Sequence, residues 1–125
     1  MKKTIIPVAD RAVEYILSRK LEELGSLTEE EIAQEVGVSL PYLLRNFKKN
    51  QNISLKNFIT REKIHTAIFL LEKQKDLTIE DLAGKLGFPK INQFYDAFCG
   101  FIAVDPLTYK VLKRQNSPPL QISAH

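Results

Sequence analysis

Several features that mark particular classes of protein are missing from this chain. One of its 125 residues is cysteine, two are histidine and none is tryptophan, so an internal disulfide is excluded and no metal-ligand spacing is present. No apolar run reaches the roughly 18 residues of a membrane span, and the apolar stretch near the N-terminus is broken by Pro7, Asp10 and Arg11, short of a secretory core. The sequence also lacks a glycine-rich phosphate loop, a nucleophile with a plausible base and a carboxylate pair. We therefore expect a cytoplasmic protein with no enzymatic activity, no cofactor, no metal and no membrane partner.

The composition suits one small globular protein. Hydrophobic residues make up 44% of the chain, which is enough for an ordinary core at this length. The formal net charge is +3 and the pI is near 9.0. A basic balance of this size permits a nucleic-acid partner but is common among soluble proteins, so the position of the basic residues matters more than their number.

The most informative feature is an internal repeat. The stretch LTEEEIAQEVGVS at 27–39 returns fifty residues later as LTIEDLAGKLGFP at 77–89. Five aligned positions are identical, and four more keep their chemical character. A repeat of this kind indicates one small structural unit used twice. The identical pairs are Leu27 and Leu77, Thr28 and Thr78, Glu30 and Glu80, Ala33 and Ala83, and Gly37 and Gly87.

Capping signals and apolar periodicity predict only helices. Apolar residues recur at steps of three and four over 10–24, a spacing typical of an amphipathic helix, which Gly25 ends. Thr28 with Glu31 forms a capping box that starts a short helix, and Ser39 caps the next helix after a tight turn. The longest pattern starts at Ser54 and runs to 75, and a helix of that length spans roughly 30 Å.

The second copy repeats these signals. Thr78 caps a short helix with Asp81 in the place of Glu31, Gly87 closes the turn, and the Asp105–Pro106 pair suits the cap and first residue of a last helix. The sequence therefore predicts an all-α fold of seven helices, arranged as two helix-turn-helix lobes joined by a long linker helix. The predicted divisions are an N-terminal arm at 1–9, a first lobe at 10–53, the linker helix at 54–75, a second lobe at 76–115 and a disordered tail at 116–125.

The tandem pattern resembles the DNA-binding domain of the AraC/XylS family of bacterial transcription regulators over roughly 10–114. Two helix-turn-helix patterns at this spacing are far more specific than one. The residues that carry the resemblance are Ile32, Ala33, Gly37, Ser39, Tyr42, Leu43, Arg45, Phe47, Lys48 and Lys49 in the first copy, and Ile79, Leu82, Ala83, Gly87, Phe88, Phe94, Phe98, Pro106, Tyr109 and Lys110 in the second.

The resemblance implies a function and its partners. In stand-alone members of the family a monomer reads two major-groove segments of double-stranded DNA. Major-groove openings on one face of B-DNA recur about every 34 Å, which suits two recognition helices joined by a rigid helix. The resemblance further implies an activator that contacts RNA polymerase and is associated with the bacterial nucleoid.

The first copy has the charge that DNA binding requires. Residues 40–63 hold six basic side chains against one acidic side chain, a net charge of +5, and cations that neutralise phosphates supply much of the affinity for DNA. Where the family sends polar side chains into the groove, this sequence has Pro41 and Leu44, which suit thymine methyl groups or an exposed apolar patch equally well. The predicted DNA-binding residues of the first recognition helix are Pro41, Tyr42, Leu44, Arg45, Lys48 and Lys49.

The second copy lacks that charge. Residues 90–105 hold one basic side chain against two acidic ones, a net charge of −1. Asp96 stands where the resemblance implies an arginine, and Cys99 and Gly100 stand where it implies basic residues. An aspartate can still accept a hydrogen bond from cytosine N4, and amides can contact base edges. The predicted, weaker DNA-binding residues are Lys90, Asn92, Gln93, Tyr95 and Asp96.

Two functions follow from this asymmetry. The leading hypothesis is a sequence-specific transcription regulator that reads adjacent major-groove segments with both motifs. The alternative is a protein-interaction module on the same fold, in which the second lobe binds DNA weakly or not at all. We also expect a local change of shape at Ala103, because it stands at a left-handed turn that suits glycine and, at the equivalent Asn52, asparagine. Cys99 is expected to be a small buried residue.

Overall fold

The computed structural model describes residues 6–74 and 76–114, without the side chain of Arg114. Within these ranges the chain forms helices and no strand, and no helix there has the length and apolar character needed to cross a membrane. The parts of the predicted arm and tail at 1–5 and 115–125 lie outside the described residues. The helices are α1 (Val8–Leu17), α2 (Leu21–Gly25), α3 (Glu29–Val36), α4 (Leu40–Gln51), α5 (Leu55–Lys73), α6 (Ile79–Lys85), α7 (Ile91–Ile102) and α8 (Pro106–Arg114).

The described ranges therefore hold eight helices where the sequence predicted seven. The helix predicted over 10–24 is divided between α1 and α2. Ser18 ends α1, with its Oγ donating to the Tyr15 carbonyl at 2.8 Å, and Arg19 Nε donates to the same carbonyl at 3.3 Å. Lys20 then takes an extended conformation (φ −82°, ψ 173°) before α2 begins. The apolar spacing continues across this break, so periodicity did not reveal it.

The described residues divide into two compact units that meet between Lys63 and Ile64, inside α5. In the first unit α1, α3 and α4 pack against one another. Their core contains the fully buried rings and branched side chains of Ile16, Ile32, Leu43, Phe47 and Leu55. The second unit has a core of its own, in which α7 packs against α6 and α8. Its fully buried residues include Ile64, Leu82, Leu86, Phe94, Phe98 and Pro106.

Each unit contains one helix-turn-helix. The predicted capping box is present in the first: Glu31 N donates to Thr28 Oγ1 at 3.1 Å, and Thr28 N donates to Glu31 Oε1 at 3.0 Å. In the second unit Asp81 N donates to Thr78 Oγ1 at 3.0 Å. Gly37 takes the left-handed conformation, with φ 77°, and Gly87 takes it with φ 83°. The caps start α3 and α6, and the turns at Gly37 and Gly87 follow these helices, ahead of the recognition helices α4 and α7.

The repeat extends beyond the pair of motifs to the next helix. Phe47 meets Phe58 edge to face, with ring centroids 5.4 Å apart, and the residues 51 positions later, Phe98 and Tyr109, meet in the same way at 5.8 Å. α4 and α7 are both twelve residues long and are related by the same shift. The start of α5 in the first unit therefore corresponds to α8 in the second.

The turn after each recognition helix is also preserved. Asn52 has φ 62° and Ala103 has φ 76°, and each donates its backbone N–H to a carbonyl four residues earlier at 2.9 Å. The local change of shape expected at Ala103 is therefore not seen. The next helix is capped as predicted, since Thr108 N donates to Asp105 Oδ1 at 2.7 Å before Pro106 opens α8.

Candidate nucleic-acid interface

α4 presents a cationic outer face because its inner face is anchored in the core. Ser39 accepts the Tyr42 N–H at 3.3 Å and starts the helix, while Leu43 and Phe47 are fully buried. The helical period then places three basic residues outward. Arg45, Lys48 and Lys49 are exposed, and within the described residues none of them has an ion-pair partner.

Part of this face forms an open depression of about 300 Å³, lined by Tyr42, Arg45, Asn46 and Lys49. Tyr42 and Lys49 each lie three or four residues from Arg45 and Asn46, so the four residues share one side of the helix. Tyr42 is 43% exposed, so it is open to a ligand. Asn46 was not among the residues predicted from the sequence. The sequence does place Asn46 four residues after Tyr42 and three before Lys49, and this helical spacing could have identified it.

The two apolar residues predicted on this face differ in exposure. Pro41 is exposed, whereas Leu44 is partly buried and packs against the core of the first unit. A broad apolar patch at this point is therefore not formed, and Pro41 is the more accessible of the two.

The basic residues of α5 are less available than the sequence count suggested. Lys56 is exposed, but Arg61 places its guanidinium over the Phe58 ring at 5.2 Å. Burial lowers the pKa of the Lys63 ammonium, which also interacts with other groups of the protein. Most of the accessible positive charge over residues 40–63 therefore lies on α4.

α7 presents a different surface at the matching positions. Phe94 and Phe98 are buried as predicted, and the helix therefore exposes Asn92, Gln93 and Asp96. Lys90, just before the helix, is exposed as well. Compared residue for residue, α4 has a net charge of +3 and α7 a net charge of −1.

Tyr95 is the exception among the predicted residues of α7. It is partly buried, and burial, followed by the carboxylates of Asp105 and Glu80, raises the pKa of its phenol. Because it is partly buried, the Tyr95 side chain is less available to a ligand than those of Asn92 and Gln93.

The end of α7 and the adjoining α8 expose uncharged residues where the first unit is polar. Cys99 is exposed, so the expectation that it is buried was wrong. It stands at the end of a recognition helix whose outer side is open, and a sequence pattern does not give the packing there. Large exposed side chains at Phe101, Leu107 and Val111 take the places of Asn50, Lys56 and Thr60, 51 residues earlier.

Comparison with known proteins agrees with this architecture. Residues 32–111 match the family described as "Helix-turn-helix domain". The chain is 29% identical over 86 residues to the Msm operon regulatory protein of Streptococcus mutans, covering 69% of this chain and 31% of that protein. It is 28% identical over 90 residues to the melibiose operon regulatory protein of Escherichia coli, covering 72% and 30%. The chain thus spans about a third of the length of these relatives.

Solved structures share the fold. The C-terminal domain of AraT, a response regulator from Geobacillus stearothermophilus, superposes with a TM-score of 0.72 at 29% identity, covering 86% of this chain and 87% of that one. The DNA-binding domain of AdpA, a transcription factor solved in complex with a target DNA, gives 0.74 at 22% identity, covering 91% and 98%. Together with the tandem helix-turn-helix geometry, these matches show that the chain belongs to the AraC/XylS-type helix-turn-helix family of transcription regulators.

Proposed function

We propose that the chain binds double-stranded DNA as a monomer and activates transcription, with α4 as its principal recognition helix. The observation that carries the proposal is the outer face of α4, where Arg45, Lys48 and Lys49 are exposed and unpaired within the described residues. Unpaired cations on a helix that projects its side chains outward suit phosphates and guanine edges. Arg45, in the middle of the helix, is the base reader, and Lys48 and Lys49 contact phosphates.

α7 reads a second, adjacent major-groove segment in this proposal. Its shift of 51 residues from α4 gives it the same cap-to-cap length and buried apolar residues at the same two places, Phe94 for Leu43 and Phe98 for Phe47. Asn92 and Gln93 offer amides to adenine, and Asp96 offers an acceptor to cytosine N4. Because α7 contains no cation, its contribution is to sequence preference rather than to salt-dependent affinity. Contact with RNA polymerase belongs to the activator part of the proposal.

The test is Arg45→Ala, compared with Arg19→Ala as a control for the loss of one positive charge. Arg19 lies between α1 and α2, where it stacks on Tyr15 at 4.3 Å. We expect Arg45→Ala to cost on the order of 1 to 3 kcal/mol in binding to a duplex selected from a randomised pool and to relax preference at one base pair. Arg19→Ala should leave the preference unchanged. Equal effects of the two variants would remove Arg45 as a base reader.

A second candidate function is protein binding by the second unit. The specific observation is the exposure of Phe101, Leu107 and Val111 at places where the first unit has polar residues, because grouped exposed apolar side chains mark contact surfaces. Asp96→Arg separates the candidates. If α7 lies on DNA without reading bases, the arginine adds a phosphate contact and raises affinity. If Asp96 reads cytosine, the arginine changes the selected sequence. If the second unit binds only a protein, neither effect appears.

A further inference from the structure

The depression on α4 contains a polar group that the fold itself does not use. The Oδ1 atom of Asn46 is buried and has no hydrogen-bond partner in the part of the chain that the structure describes. A buried acceptor without a partner destabilises a protein, so packing alone does not explain an asparagine at this position. The residue as a whole is only partly buried. Its amide nitrogen is not among the buried side-chain atoms without a partner, which leaves the NH₂ group as the part of the amide directed to the surface.

The groups around that NH₂ are chemically alike. Arg45 and Lys49 line the same depression with a guanidinium and an ammonium, and Tyr42 adds a hydroxyl. The guanidinium, the ammonium and the amide NH₂ can only donate hydrogen bonds. Two positive charges and several converging donors match a ligand that is anionic and only accepts, which describes the phosphodiester group of a nucleic-acid backbone.

A base edge fits the depression less well. Asparagine reads adenine by donating to N7 and accepting from N6 at the same time. The acceptor of Asn46 is the buried atom, so this paired contact is not open to it. A phosphate oxygen needs only the donor.

We infer that Asn46 is part of a binding site for one DNA backbone phosphate, formed with Lys49 and Tyr42 on the side of α4, next to Arg45. The inference rests on the proposed function, since it presumes that α4 lies on DNA. Such a contact carries no sequence information of its own. It fixes the rotation of α4 in the groove, and so determines which base edge Arg45 reaches.

The chain offers a matched control one helical turn away. Asn50 is also on α4 and exposed, but it does not line the depression, and its Oδ1 accepts a hydrogen bond from Gln51 Nε2 at 2.9 Å. The test compares Asn46→Leu with Asn50→Leu in the full chain. Melting temperature is measured together with affinity for two labelled duplexes of 30 base pairs, one of scrambled sequence and one selected from a randomised pool.

Asn46→Leu is expected to change stability and binding in opposite directions. Removing the unpaired acceptor should raise the melting temperature by about 3 to 8 °C. Losing the donor should weaken binding to both duplexes by the same factor, about three- to tenfold, with no change in the selected sequence. Asn50→Leu should do neither. Asn46→Asp, which is nearly isosteric but anionic, should weaken binding more than Asn46→Leu.

Three results would overturn the inference. A lower melting temperature for Asn46→Leu would show that the asparagine supports the fold. A loss confined to the selected duplex would make Asn46 a base reader. Unchanged binding while the parent chain binds both duplexes would show that no phosphate is held there. If the parent chain itself binds neither duplex, the proposed function fails first, and the phosphate site fails with it.

Discussion

Replacing Gly100 with lysine should give α7 a phosphate contact like the one proposed for Lys49 on α4. Gly100 is exposed on α7, 51 residues after Lys49. A Cβ atom built on it meets nothing within 4 Å, so a lysine is accommodated without a clash. If α7 lies on DNA, the added ammonium reaches the backbone at the point where Lys49 does in the first unit.

The expected size follows from counterion release. One additional phosphate contact steepens the slope of log K against log salt by about 0.9, so the gain in affinity shrinks about 3.5-fold between 50 and 200 mM salt. If the added lysine contributes no affinity at 1 M salt, it should raise the affinity for DNA about fivefold at 0.15 M salt. The substitution also replaces a helical glycine, which should stabilise the fold by about 0.5 to 1 kcal/mol.

Gly84→Lys is the matched control. Gly84 is a second exposed helical glycine, in α6, and a Cβ atom there also meets nothing within 4 Å. The Gly84→Lys substitution adds the same charge and the same gain in helix propensity, but at a site away from the recognition helix. Fluorescence anisotropy with a labelled duplex across a salt series should give the steeper slope for Gly100→Lys alone. Identical slopes for the two variants would refute the view that α7 lies on DNA.

Three further predictions concern the fold. Ala103→Gly should stabilise the chain by about 0.5 to 1 kcal/mol in urea unfolding. An alanine in the left-handed conformation costs about 1 to 2 kcal/mol, and part of the gain from removing that cost is offset because glycine loses more backbone entropy on folding. Asn52→Gly should change stability little, and a destabilised Ala103→Gly would contradict this reasoning. Tyr109→Phe removes a 2.7 Å hydrogen bond donated to Glu72 and should cost about 1 kcal/mol at neutral pH. Burial, and then Glu72, raises the pKa of the Tyr109 phenol, so the parent chain should lose stability as the pH rises above about 10, where the unfolded phenol ionises. In a pH series of urea titrations the phenylalanine variant should show a smaller loss, because only Tyr95, whose pKa is also raised, then contributes in this way. Thr28→Ala should cost about 1 kcal/mol through loss of the α3 cap, as measured by thermal unfolding, and an unchanged melting temperature would contradict that role.

Local signals in the sequence predicted much of the fold because they act over a few residues. The caps at Thr28, Ser39 and Asp105 and the turn at Gly37 depend on side chains and backbone angles within one helical turn. The structure confirms all four. Because the sequence is repeated, the same caps and turns could be predicted for the second unit.

What the sequence did not predict depends on packing between distant segments. The break between α1 and α2 is hidden because the apolar spacing continues through it. The partial burial of Lys63 and Leu44 follows from neighbours that periodicity does not specify. For the same reason Asn46, at the edge between the buried and exposed sides of α4, was passed over as a functional residue.

The asymmetry between the two recognition helices was visible in the sequence and is sharper in the structure. Over equal lengths the charge falls from +3 on α4 to −1 on α7, while both helices bury large apolar residues at the matching positions. Under the proposed function, this difference means that α4 supplies most of the affinity for DNA and α7 contributes to sequence preference. The domain boundaries drawn from the sequence remain predictions.

The most direct test of DNA binding through α4 is the affinity of the full chain for a labelled duplex at 50 and 200 mM salt. Two or three phosphate contacts, from Lys48 and Lys49 with or without Lys56, predict a loss of affinity of about 12- to 40-fold between these concentrations. A loss of less than about fourfold corresponds to one contact or fewer. That result would contradict the account.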